Sequence, residues 1–170
     1  MIAAPESSEY ADFYARYIAL VPPGDLSVTL QAQLDRGLPF LRGIGDEKSL
    51  IRYEPGKWSV REILGHLTDS ERIFACRALR FARADSTPLP GFDQDPYVAA
   101  AGFDARPWND LITEYEYVRR SSIVFFRSLR PEVALRSGIA NKASVSVRAL
   151  GYVIAGHELH HFKVIRERYL

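Results

Sequence analysis

The chain predicts an all-α protein, a four-helix bundle with a short extra helix at its N-terminal end. Three observations carry that expectation. Four long segments repeat apolar residues every three or four positions, the period at which a helix turns one face to a core. One of them opens on a helix start signal, Ser59-Val60-Arg61-Glu62. No segment alternates apolar and polar residues with comparable strength, so no sheet is expected.

The first element is short. Tyr10, Phe13, Tyr14, Tyr17 and Ile18 recur at helical spacing until Pro22-Pro23-Gly24 stops them, and this segment is expected to pack across the larger body. Leu26, Leu30, Leu34, Leu38 and Leu41 then define the first bundle helix, with Gly37 and Pro39 bending or weakening its second half. In the second, the Ser59 hydroxyl and Glu62 carboxylate satisfy backbone N–H groups that a first turn leaves unpaired. It is predicted to run to about Arg83, with an inner stripe of Ile63, His66, Leu67, Ser70, Phe74, Arg77 and Phe81. An imidazole in that row needs a chemical reason, because buried polar groups are costly unless partnered.

Residues 84–107 read as a long connection rich in turn formers, including Pro88-Leu89-Pro90-Gly91 and Phe92-Asp93-Gln94-Asp95-Pro96-Tyr97. Connections of that length often serve as lids or crossovers. Leu111, Tyr115, Val118, Ser122, Phe125 and Leu129 mark the third bundle helix, which Pro131 ends. The fourth begins near Ser144 or Ser146 and carries Val147, Leu150, Ile154, His157, His161 and Val164 on one stripe. Both histidines sit where a bundle expects core leucines.

Length and charge narrow the function. At 170 residues the chain is expected to form a single domain spanning 1–170, large enough to enclose a buried site. With 22 Lys+Arg against 21 Asp+Glu the net charge is +1, so no global field gathers nucleic acid or an anionic membrane, and neither partner is expected. Cys76 is the only cysteine, which excludes an internal disulfide and any multi-thiolate site. It is expected to be a buried structural residue. The opening Met1-Ile2-Ala3-Ala4-Pro5-Glu6 lacks a signal-peptide pattern and no stretch offers about 20 apolar residues for a membrane span, so a cytoplasmic setting is expected.

Four histidines are all the chain has: His66 alone, then His157, His160 and His161 within five residues. On a helix, residues four apart lie about 40° apart around the axis and about 6 Å along it, so His157 and His161 can aim both imidazoles at one ion. His160 lies about 100° round from His161. A His157/His160 pair is also permitted by spacing alone. If a second helix brings His66 alongside, three neutral nitrogen ligands leave a coordination position open, which is what catalysis by a divalent ion requires. A lone histidine on an apolar stripe is usually a hydrogen-bonded core residue, but three on two such stripes favour metal.

Three blocks extend this reading. Pro55-Gly56-Lys57-Trp58-Ser59-Val60-Arg61-Glu62-Ile63-Leu64-Gly65-His66-Leu67-Thr68-Asp69-Ser70-Glu71-Arg72, Gly91-Phe92-Asp93-Gln94-Asp95 and Ala155-Gly156-His157-Glu158-Leu159-His160-His161 resemble the DinB-like (DinB/YfiT) superfamily over nearly the whole chain. The resemblance implies an up-up-down-down four-helix bundle, frequently a homodimer, with a three-histidine site that commonly holds nickel or zinc. Carried over by motif, the ligands are His66, His157 and His161. The superfamily includes thiol S-transferases, thiol-dependent isomerases and members described as metal-dependent hydrolases, so it implies no single reaction.

Other candidates surround the histidines. Asp93 and Asp95 are candidate catalytic residues, as general base or substrate contact, although turn formation explains them equally well. Arg77 lies on the His66 face about 16 Å further along the helix and is a candidate for binding the carboxylate of a thiol cofactor or acidic substrate, with a buried ion pair as the commoner role. Trp58 either walls the site or staples the helix start. Glu62, Asp69 and Glu158 are the acidic neighbours of the ligating histidines, Glu158 pointing elsewhere.

The expectation is therefore a metal-dependent enzyme acting on a small-molecule substrate, which activates water or a low-molecular-weight thiol as a hydrolase or thiol S-transferase. The alternative is a non-catalytic bundle that binds a small molecule or dimerises, with a structural metal closed by a fourth protein ligand.

Overall fold

The computed structural model describes residues 1–170. Its helix starts are set by side chains that accept the first unpaired backbone N–H groups. Asp25 caps α2 (Leu26–Lys48), Ser59 caps α3 (Val60–Ala82) in the reciprocal capping box with Glu62, and Ser146 caps α7 (Val147–Arg168). With α5 (Trp108–Arg127), these make the four-helix bundle. The short helix α1 (Asp12–Ile18) lies against α7.

Around the bundle the order is α2, α5, α3, α7, each packed on its neighbours. Specific contacts fix the directions. Trp108 Nε1 donates to Leu41 O and Arg119 Nη1 to Gln33 Oε1, so α5 runs antiparallel to α2. Arg61 reaches Arg106 O while Arg119 holds Glu71, which sets α3 and α5 parallel. Gln33 donates to Ala155 O and Phe40 stacks on Phe162, so α7 follows α2. Read round the ring from α7, the directions are up, up, down, down. Along the chain they run up, down, down, up, because the connections from α2 to α3 and from α5 to α7 cross the bundle diagonally.

Three features depart from the pattern expected of the sequence. The first bundle helix continues past Pro39 to Lys48, with a break only at Gly45, whose φ of 75° takes the backbone out of helical geometry. Within the connection at 84–107 lie α4 (Gln94–Ala101) and a single 3-10 turn at Phe103–Ala105. Asp93 caps α4, and Pro96 fits because the first turn has no intrahelical N–H bond to lose. After the short helix α6 (Pro131–Ala134), β1 (Ser137–Ala140) and β2 (Ala143–Ser146) pair antiparallel. Their two-residue turn, Asn141-Lys142, puts both residues at positive φ, 52° and 64°. Such turns usually contain glycine, and its absence hides the hairpin from sequence reading.

The core is aliphatic and aromatic, with Leu26, Leu30, Leu34, Leu41, Leu64, Phe126 and Leu150 enclosed. One charged cluster interrupts it. Arg119 on α5 forms ion pairs with Glu71 on α3 and Glu158 on α7, both at 2.8 Å, and bonds Gln33 on α2. Tyr115 adds a hydrogen bond to Glu158. All four bundle helices are therefore tied at one level. No helix is long and apolar enough to cross a membrane.

A candidate metal centre at the crossing of α3 and α7

His66 projects from the second turn of α3, and His157 and His161 project from the later part of antiparallel α7, so the two inward stripes meet. His66 Nε2 stands 3.1 Å from His157 Nε2, which stands 3.0 Å from His161 Nε2. All three ligand atoms lie within 4.8 Å of one another. His66 and His157 are buried and His161 is half-buried. His160 falls outside the cluster, with its ring 5.0 Å from that of His161 and 5.5 Å from that of Tyr17.

Burial depresses the basicity of this group. It pulls His66 down to about 4 and His161 to about 3, and His157 well below the ordinary histidine value, the neighbouring imidazoles adding to the effect on His157 and His161. All three rings are therefore neutral near pH 7. Neutral imidazoles can share a proton along an N–H···N contact, but His157 Nε2 faces two partners and has at most one proton to give. A divalent cation among the three nitrogens would satisfy all of them. The donor set thus fits a metal ion.

Neighbouring side chains orient the rings. Ser70 Oγ lies 3.4 Å from His66 Nδ1, and a proton on Nδ1 directed there leaves the Nε2 lone pair facing the cluster. Trp58 packs on His66 at 4.9 Å between ring centroids and so walls the site. Tyr17 of α1 meets the His157 ring edge-on at 5.2 Å. That approach depends on Gly156, where a Cβ atom would run into the Tyr17 carbonyl. The acidic candidates are used elsewhere. Glu62 completes the capping box and pairs with Arg52, Asp69 pairs with Arg72, and Glu158 turns away to Arg119 and Tyr115.

Two cavities flank the histidines. One, of about 420 Å³, is lined by His66 and His157 together with Arg16, Ser70, Phe74 and Arg77. The other, of about 370 Å³, is lined by Trp58, His160 and His161. Asp95 lines both cavities and Asp93 the first, each with an exposed side chain. Asp93 Oδ1 accepts from Asp95 N, as turn formation requires. A larger hollow of about 630 Å³ between α3 and α5 contains none of the histidines.

Arg77 is buried and makes no ion pair; its Nη2 donates to Pro90 O at 2.7 Å, and its guanidinium carbon lies 5.8 Å from the ring centroids of both Phe74 and Phe92. The carboxylate partner expected for a buried arginine is not there. Cys76, expected to be buried, is exposed because its position on α3 faces away from the core stripe. Sequence reasoning also missed Asn141, which the hairpin turn carries into the wall of the first cavity.

The family model of the DinB superfamily matches residues 29–165, which include all three clustered histidines. The chain belongs to the DinB superfamily. Among solved structures it is similar to YfiT from Bacillus subtilis, described as a probable metal-dependent hydrolase with an unusual four-helix bundle topology, at 17% identity and a TM-score of 0.66 over 95% of this chain and 91% of that one. At that identity the likeness establishes the fold of this DinB superfamily member. None of the curated proteins matches it in sequence.

Proposed function

We propose that this DinB superfamily member is a metal-dependent enzyme in which His66, His157 and His161 hold a divalent ion, nickel or zinc, and act on a small molecule. The observation that carries the reading is the convergence of three neutral imidazole nitrogens at the inner ends of two cavities. A bound divalent ion would supply Lewis acidity there, favouring deprotonation of water or a low-molecular-weight thiol and polarising a carbonyl. The protein's own part is to keep the rings unprotonated, to fix His66 through Ser70 and Trp58, and to exclude bulk water with α1. Asp93 and Asp95, at the cavity mouths, accept the proton that leaves an incoming nucleophile.

Hydrolysis and thiol S-transfer both suit this geometry. YfiT's description as a probable metal-dependent hydrolase supports the first, and open cavities large enough for a second reactant support the second. A purely structural metal is disfavoured, because structural zinc sites are closed by four protein ligands and the cluster here supplies three. We place the enzyme in the cytoplasm as a homodimer. Zinc- and nickel-loaded protein assayed against nitrophenyl esters, and against monobromobimane with small thiols, tests the reading. Turnover that disappears in His66→Ala and His161→Ala supports it, and equal rates in these variants and the wild type would reject it.

A further inference from the structure

Three arginines are buried in the protein: Arg61, Arg77 and Arg119. Arg61 pairs with Asp46 at 2.8 Å, and Arg119 with both Glu71 and Glu158. Arg77 alone has no carboxylate partner. A guanidinium stays charged at any ordinary pH, and a buried charge is rarely left without an opposite one. Its acceptors are the Pro90 carbonyl and the neighbouring Tyr14 hydroxyl, both uncharged, against the five N–H groups that a guanidinium offers. Every fully enclosed side-chain nitrogen or oxygen in the protein has a hydrogen-bond partner, so the unbonded Arg77 nitrogens are not sealed in packed protein; Arg77 lines both the histidine cavity and an adjoining one of about 340 Å³ that shares Phe92 with it.

The surroundings describe what would complete it. Phe74 and Phe92 flank the guanidinium, Tyr14 stands beside them, and Phe74 also lies 6.3 Å from the His157 ring. One aromatic wall therefore runs from the histidine cluster to Arg77. We propose that Arg77 is an anion subsite, holding the carboxylate of a small substrate whose apolar segment lies along Phe74 and Phe92 and whose other end reaches the His66–His157–His161 cluster. Arg77 is the one buried cation of this cavity, and with Asp93 and Asp95 also in the lining it suits a singly charged carboxylate better than a phosphate dianion. Arg16, on the opposite wall, is held against Tyr17 by a hydrogen bond of 2.9 Å to the Tyr17 hydroxyl and a guanidinium stacked on its ring. The fate of the reacting end rests on the metal-enzyme reading above; the Arg77 contact does not.

Calorimetric titration with 3-phenylpropionate and its neutral amide tests the subsite, using protein both zinc-loaded and stripped with chelator. The stripped form removes the route by which a carboxylate binds zinc directly. We expect the acid to bind at least tenfold more tightly than the amide in both forms. Arg77→Met should remove that preference and leave amide affinity and the unfolding midpoint nearly unchanged, while Arg77→Lys should keep part of it. Equal binding of acid and amide by the stripped wild type, no binding of either, or a preference surviving in Arg77→Met would overturn the proposal. If Arg77→Met does not fold, the wild-type and Arg77→Lys preferences decide. Failure of the protein to retain zinc, with the acid preference intact, would count against the metal reading and not against this one.

Discussion

His157 sits between the other two clustered imidazoles, and its depressed basicity ties the site to pH. Burial lowers His66 to about 4 and His161 to about 3, whereas in an unfolded chain both titrate near 6.5. Well above pH 6.5, from about pH 7.5, all are neutral in both states and contribute no pH dependence. Below it the unfolded chain takes up protons that the native one refuses, so stability falls with falling pH until the native values are reached. Urea unfolding of chelator-treated protein should therefore show a steady loss from pH 7 to 5, and His66→Gln should flatten the slope. For the same reason bound metal should persist to about pH 5, well below the range where ordinary histidines protonate, as dialysis at graded pH would show. The three residues were legible in the sequence because helical phase sorts inward from outward positions. Arg77 was legible by position but not by partner, since no spacing rule reveals a carboxylate that is missing.

Helix α1 reaches the site only because Gly156 lets its backbone lie directly on α7. Gly156→Ala should push α1 outward while leaving the α3–α7 pairing in place. Its signature is faster amide exchange confined to residues 12–18, together with weaker metal retention as Tyr17 moves off His157. The hairpin offers a contrasting test. Lys142 holds a φ of 64° that strains a residue with a side chain, so Lys142→Gly should raise stability by about 1 kcal/mol, measured by urea midpoint, without touching the histidines. The long helices were readable from the sequence through caps and apolar stripes. The pieces between them were not: α4 hides behind Pro96, and the hairpin turn lacks the glycine that signals one.

Across the whole molecule, the Arg119 cluster joins all four bundle helices, with Glu158 next to His157 on α7. Its members lie far apart along the chain, so no local motif announces it. Arg119→Met would leave Glu71 and Glu158 facing each other without a counter-charge, and should cost about 3–5 kcal/mol by chemical denaturation. The aliphatic core surrounds this cluster without depending on an ion. Chelation should therefore lower the melting temperature while leaving the far-ultraviolet circular dichroism of the bundle intact, because a ligand that binds only the native state adds stability in proportion to ln(1 + [L]/Kd). The central claim is that three histidines, and not the fourth, hold a divalent ion. The most direct measurement is metal content per chain after reconstitution with zinc or nickel and gel filtration, on protein without a polyhistidine tag. About one ion should stay with the wild type and with His160→Ala and be lost from His66→Ala and His161→Ala. A metal-free wild type, or variants that all retain the ion alike, would contradict it.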